Sequence, residues 1–254
     1  MNRLLDFLKQ PIETFQDFLL LSGRAFRNVF RKPHYYDDVL LQMDTIGAGS
    51  LFIVCLIGFF SGVVMALQMS RALAQYGAQG QIGKIVSITL VRELGPVLTA
   101  LLVAGRNASG IASELGSMRV TEQIDAMRAL GTDPIQKLVT PRLIATAIVL
   151  PLLTIIADAI GLIGGYFIAA TMLSIPRAQY WTSAWQILEY NDLVQGLLKP
   201  FLFAIVIALV GCYYGMHTSG GTQGVGRATT KAVVVSSVWI FVITSMLDPL
   251  FVNL

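Results

Sequence analysis

Residues Thr45–Ser70, TIGAGSLFIVCLIGFFSGVVMALQMS, run for 26 positions without a charge, between Asp44 and Arg71. A helix rises about 1.5 Å per residue, so roughly 20 apolar residues cross the hydrocarbon layer of a bilayer. This run is therefore a transmembrane helix. The whole chain agrees with it: of 254 residues, 55% are hydrophobic and 13% charged. A soluble domain carries about 25% charged residues. The sequence predicts an all-α integral membrane protein.

Outward from this run, further spans are expected at about 82–105, 143–172, 200–216 and 232–252, with the first at about 46–70. Residues 1–32 do not span. Leu4, Leu5, Phe7, Leu8, Ile12, Phe15, Phe18 and Leu19 recur at helical spacing among charges, and Arg24, Arg27, Arg31 and Lys32 follow. That pattern suits an amphipathic helix lying at the interface, its basic residues near anionic headgroups. With the N-terminus inside, thirteen of the eighteen Lys and Arg fall on the cytoplasmic side, in residues 1–44, 106–142 and 217–231. The positive-inside bias then places the N-terminus in the cytoplasm and the C-terminus outside. The net charge of +3 needs no nucleic acid to explain it. Cys55 and Cys212 lie in apolar runs and read as small buried hydrophobes. His34 and His217 are far apart and offer no metal constellation.

The second span carries Arg92 and Glu93. Charge at membrane depth is costly and marks a pathway or a site. Adjacent helical residues point about 100° apart, so each needs a partner elsewhere or water. Arg92 suits a phosphate or carboxylate; a structural interhelical ion pair is the plainer reading. Gly95 and Pro96 follow, a hinge or a static kink. Asp158 in the third span suits a proton or cation site, or a partner for Arg or a hydroxyl.

Residues 106–142 form the longest cytoplasmic connection. Glu122 to Leu130 reads as a short helix, capped by Thr121 and stopped at Gly131, with Asp133-Pro134 forbidding its continuation. Val120, Ile124 and Met127 make an apolar stripe that suits a partner protein or the chain's own helices. Glycines four apart (Gly58 and Gly62, Gly161 and Gly165, Gly211 and Gly215) permit close helix approach. Gly221 and Gly226 have phosphate-loop spacing, but Arg227-Ala228 stands where Lys-Ser/Thr is required, and no strand precedes it. The chain therefore carries no nucleotide site of its own and is not itself an enzyme.

The run Arg92-Glu93-Leu94-Gly95-Pro96-Val97-Leu98-Thr99-Ala100 with Ala104-Gly105-Arg106 resembles the signature of the MlaE (YrbE-type) permeases. So do Glu114-Leu115-Gly116-Ser117-Met118, Glu122-Gln123-Ile124-Asp125-Ala126-Met127, Gly131-Thr132-Asp133-Pro134 and Gly224-Val225-Gly226-Arg227-Ala228-Thr229-Thr230. The likeness covers nearly the whole chain; Asn107-Ala108-Ser109 departs from the Gly/Ala-rich sequence usual there.

The resemblance implies the permease of an ABC transporter that moves phospholipid or a related lipid between inner and outer membranes. It implies a homodimer in the inner membrane with a cytoplasmic ATPase dimer, which binds ATP and Mg, and an MCE-domain hexamer on the outer face. Some systems add a STAS-domain subunit. It assigns coupling to the ATPase to the stretch from Glu114 to Pro134, here Glu114, Gly116, Met118, Glu122, Gln123, Asp125, Met127, Gly131, Asp133 and Pro134. It places the lipid cavity near Leu67, Tyr76, Arg92 and Glu93. Two rival readings stand beside it: a proton-coupled secondary transporter using Glu93 and Asp158, and a scaffold that moves nothing.

Overall fold

The computed structural model describes the backbone of residues 2–252 and the side chains of residues 13–251. Helix makes up 88% of the chain, with no strand among the described residues. Among the described residues eight helical elements follow one another: α1 (Asn2–Val29), α2 (Tyr36–Ala74), α3 (Gln79–Val120), α4 (Gln123–Ala129), α5 (Ile135–Thr171), α6 (Arg177–Gln186), α7 (Tyr190–Met216) and α8 (Gly221–Val252). Five of them, α2, α3, α5, α7 and α8, are long and apolar enough to cross a membrane.

These helices outrun the apolar segments expected from sequence. The second continues past Arg106 to Val120, and the fourth begins at Tyr190 rather than near residue 200. A charge does not end a helix when it finds a partner, and several here do. Helix α3 is not uniform. It opens in a 3-10 turn and contains π turns at Leu90–Leu94 and Ala104–Ala108. Another π turn, Ile135–Val139, opens α5. Such turns insert a residue into the helical register and recur at functional sites.

The chain divides into two compact units. The first comprises Met1–Met43, Ala104–Thr146 and Ile205–Val238. Its core gathers Leu21 and Ala25 of α1, Ile111 and Leu115 of α3, Ile124 of α4, Leu138 and Leu143 of α5, and Ala208, Cys212 and Met216 of α7. Gly211 and Gly215 let α7 lie against the α3 backbone: a Cβ on Gly215 would sit 2.7 Å from the Leu115 side chain. On α1, Leu21, Ala25 and Asn28 turn inward while Phe15, Leu19, Leu20 and Phe26 stay exposed. The expected apolar positions Leu4, Leu5, Phe7, Leu8 and Ile12 lie outside the described side chains.

The second unit comprises Asp44–Val103, Ala147–Ala204 and Trp239–Leu254. Every fourth residue of α2 is buried there: Ile46, Ser50, Val54, Gly58, Gly62, Ala66 and Ser70. This stripe meets α5 at Ala157 and Gly161, so closely that a Cβ on Gly58 would lie 2.6 Å from the Ala157 carbonyl oxygen. The small-residue spacing of the sequence thus serves packing within one chain. The second core adds Ile82, Val86 and Leu90 of α3, Leu162 and Ala169 of α5, and Tyr180 of α6. Tyr180 is fully buried, donates to the Leu162 carbonyl at 3.0 Å and packs on Tyr166 and Trp181.

Candidate functional site

Within the second unit, α3, α7 and α8 bring five charged side chains together. Arg92 and Glu93 stand in the Leu90–Leu94 π turn. Arg92 Nε donates to Asp192 of α7. Glu93 accepts from Lys199 Nζ of α7 at 2.6 Å. Lys199 also pairs with Asp248 of α8 at 2.6 Å, and Gln195 reaches the same Asp248 oxygen at 3.5 Å. The neighbours thus take different partners, as the 100° step between them requires. Those partners lie seven residues apart on α7, two turns along one face.

The cluster is graded from buried to exposed. The Lys199 side chain is 0% exposed and that of Asp192 2%, whereas Arg92 is 41%, Glu93 39% and Asp248 36% exposed. Three carboxylates face two cations, so the cluster is one negative charge out of balance if all are ionised. Asp192 is further held by the Glu189 backbone N–H at 2.9 Å. The Arg92 guanidinium is engaged at Nε yet partly exposed, which leaves its other nitrogens able to meet an anion.

Pro96 is buried one turn further along α3. It has no N–H, so the carbonyl of Arg92, four residues back, loses its regular helical donor. Lys199 Nζ supplies a replacement at 2.9 Å. Gly95 faces the Asp158 carboxyl of α5, and a side chain at residue 95 would collide with it. Asp158 Oδ1 has no hydrogen-bond partner among the described residues.

Leu67 and Tyr76 stand apart from this cluster's bonds. Leu67 lines a shallow depression with Val64, Gln68, Ser70, Arg71 and Met172. Tyr76 is 83% exposed in the turn after α2. Lys199, Asp192, Gln195 and Asp248 were not among the expected site residues. Their signal was present: Asp192, Gln195 and Lys199 recur at spacings of three and four, one face of a helix. Starting the fourth span at residue 200 put them in a loop.

The expected coupling stretch lies in the first unit and divides between two elements. Glu114, Gly116 and Met118 belong to the last turns of α3. Glu114 pairs with the buried Arg142 at 2.7 Å. A Cβ on Gly116 would sit 2.9 Å from Thr218 Oγ1, and Met118 packs on the core. Thr121 does not cap α4; its hydroxyl donates back to the Ser117 carbonyl at 2.9 Å. The residue before α4 is Glu122, with φ at +61° and no side-chain cap. Gln123 opens α4, and Asp125 is gripped by Arg119 at 2.5 Å and Arg128 at 3.1 Å. Gly131 (φ +78°) ends it. Asp133 accepts from the Ile135 N–H at 2.9 Å and from Asn28 of α1 at 3.2 Å, and Pro134 is buried behind it.

Of the two readings of the apolar stripe, the chain's own helices take Ile124 and Met127. Ile124 is 1% exposed and joins the chain's own core, with Met127 partly buried against it. The large apolar side chains left exposed here are Val120 at the end of α3 and Leu130, just after α4, 83% exposed. Among the described residues no group of three His, Cys, Asp or Glu is placed to hold a metal.

Comparison with known proteins agrees with this architecture. The family described as Permease MlaE matches residues 39–250. A "Probable ABC transporter permease protein" of Rickettsia conorii is 44% identical over 234 residues, 92% of this chain and 90% of that protein. The chloroplastic protein trigalactosyldiacylglycerol 1 of Arabidopsis thaliana is 34% identical over 91% of this chain and 66% of its own length. The intermembrane phospholipid transport system permease protein MlaE of Haemophilus influenzae is 31% identical over 91% of this chain and 93% of that protein. With five apolar helices and a match across most of its length, this membrane protein belongs to the MlaE family of ABC transporter permeases.

Proposed function

We propose that this chain is the membrane subunit of an ABC transporter that carries phospholipid, or a related lipid, between an inner and an outer membrane. The observation that carries the reading is the end-to-end likeness to a Haemophilus protein named for intermembrane phospholipid transport. Two copies form the core in the inner membrane, N-termini in the cytoplasm and C-termini in the periplasm, an orientation supported by the distribution of Lys and Arg. A separate ATPase dimer binds ATP and Mg and drives the cycle through α4 and the end of α3. An MCE-domain hexamer receives or delivers lipid on the outer face, and a STAS-domain subunit joins in some assemblies.

The physical task is to shelter acyl chains while accommodating a charged headgroup. Each acyl CH₂ kept from water is worth about 0.8 kcal/mol, so lipid needs an apolar route and leaves when that route closes. Leu67 and its neighbours offer apolar surface on α2. Arg92, half in solvent and part of a charged cluster, offers the phosphate a bidentate partner. Gly95 and Pro96 let α3 bend beside it.

The test is lipid transfer by the complex co-expressed with its partners and placed in vesicles. Fluorescent phospholipid should leave donor vesicles only when ATP is hydrolysed, and Arg92→Ala should slow it. Transfer driven by a proton gradient with no ATPase present would overturn the reading in favour of a gradient-driven carrier using Glu93 and Asp158. An intact complex that transfers nothing would favour a scaffold.

A further inference from the structure

A cavity in the first unit lies at the junction of α1 and α2. It is lined by Val29, His34, Tyr35, Val39, Pro141 and Ile144, among others, and holds about 80 Å³ of free space. One water-sized site needs about 10–15 Å³, so this hollow admits a chain of several atoms. Three of its polar wall groups are already spent within the protein. Asn28 donates to Asp133, Gln136 to the Arg31 and Pro33 carbonyls at 3.1 and 2.9 Å, and Thr140 to the Ile135 carbonyl at 3.3 Å. What the wall otherwise offers a visitor is aliphatic and aromatic surface, with the exposed His34 imidazole stacked on Tyr36 at its edge.

The rim has a different character. Arg24, Arg27, Arg31 and Lys32 are exposed on α1 and the turn after it, beside the exposed apolar side chains Phe26, Phe30, Tyr36, Leu40 and Leu41. The nearby acids are mostly engaged: Asp38 is paired with Lys137, whose ammonium also lies 4.2 Å from the centre of the Tyr35 ring, and Asp133 accepts from Asn28. Asp37 is exposed. Aromatic side chains that are apolar at one end and wet at the other belong at a membrane–water boundary, and basic residues there attract anionic lipid.

We infer that this junction binds an anionic phospholipid, one acyl chain entering the cavity and the phosphate meeting Arg31 and Lys32. The lipid is a resident of the leaflet on the N-terminal side and tethers α1 to the start of α2. The inference rests on the chain's place in a membrane and not on the transport reading.

The complex, in vesicles, is exposed to phosphatidylglycerol or phosphatidylcholine carrying a photoreactive group on the acyl chain, and cross-linked peptides are identified by mass spectrometry. Phosphatidylglycerol should label residues 28–39 and 136–144 in preference to phosphatidylcholine. Reversing Arg31 and Lys32 to Glu should cut that preference by about fivefold for each side chain or more. Ile144→Trp, which fills the cavity, should abolish labelling there; Val39→Phe is the gentler variant if the first does not fold. Equal labelling by the two lipids, or labelling that survives both filling variants, overturns the inference. So does labelling that disappears during ATP turnover, because the site would then hold cargo. A complex inactive in lipid transfer but still labelled would keep this site and sink only the transport reading.

Discussion

Lys199 supplies α3 with the hydrogen bond that Pro96 withholds: its ammonium lies 2.9 Å from the Arg92 carbonyl while pairing with Glu93 and Asp248. One buried cation therefore ties three helices and satisfies the carbonyl that Pro96 leaves without a donor. Lys199→Ala should lower stability by roughly 2–4 kcal/mol, somewhat less than a fully buried pair because both carboxylates are partly exposed. Adding Pro96→Ala restores an N–H to the helix and should recover about 1 kcal/mol of that loss. Thermal unfolding of the single and double variants checks this, and strict additivity would show that the carbonyl contact contributes nothing.

Arg92→Ala does two things at once, since it also strips Asp192, 2% exposed, of its cation. A buried group left without its partner costs about 1–3 kcal/mol or more. Arg92→Ala with Asp192→Asn should therefore be more stable than Arg92→Ala alone. If lipid transfer stays slow in the stabilised double variant, Arg92 acts on lipid; if transfer returns, its part is structural.

Glu122 holds φ at +61°, a conformation that costs a residue with a side chain about 1–2 kcal/mol. Glu122→Gly should fold at least as well as the parent, and Glu122→Val should lose stability. Melting temperatures decide it, and unchanged ATPase association in Glu122→Gly would remove its carboxylate from the coupling contact.

Leu130, just after α4, is a large apolar side chain left exposed, while Ile124 faces the core. Leu130→Asp should weaken co-purification of the ATPase and leave the melting temperature within about 0.5 kcal/mol equivalent of the parent. Ile124→Ala should do the reverse, costing about 2–5 kcal/mol of stability. Retention of the ATPase at parental levels by Leu130→Asp would exclude this surface.

Burial pushes the Tyr180 phenol well above its ordinary value of 10.0. The unfolded chain ionises first, so this contribution is complete below pH 10 and is lost as pH rises beyond it. Tyr180→Phe gives up the bond to Leu162, about 1 kcal/mol, and should soften the alkaline fall in stability. An identical alkaline profile in both proteins would remove Tyr180 as its source.

The spans were legible because lipid demands long uncharged helices, and Thr45–Ser70 says so without help. The need of Arg92 and Glu93 for separate partners was also legible, from helical geometry. The partners themselves were not, because a threshold on charge cut α7 at residue 200 and hid the face formed by Asp192, Gln195 and Lys199. Ile124 eluded the reading for another reason. A stripe on a short helix looks the same whether it meets a foreign surface or its own core, and only the packing of α1, α3, α5 and α7 around it decides.

The contact of Gly58 and Gly62 with Ala157 and Gly161 has a mechanical consequence. Where backbones touch, there is no cushion of side chains to shear, so any sliding of α2 along α5 there meets the opposing backbone directly. Any bending within that unit would fall to the neighbour whose hydrogen-bond ladder Pro96 interrupts, the Leu90–Pro96 stretch of α3. The close-packed seam is then where the unit should be hardest to deform, and Arg92 and Glu93 stand outside it.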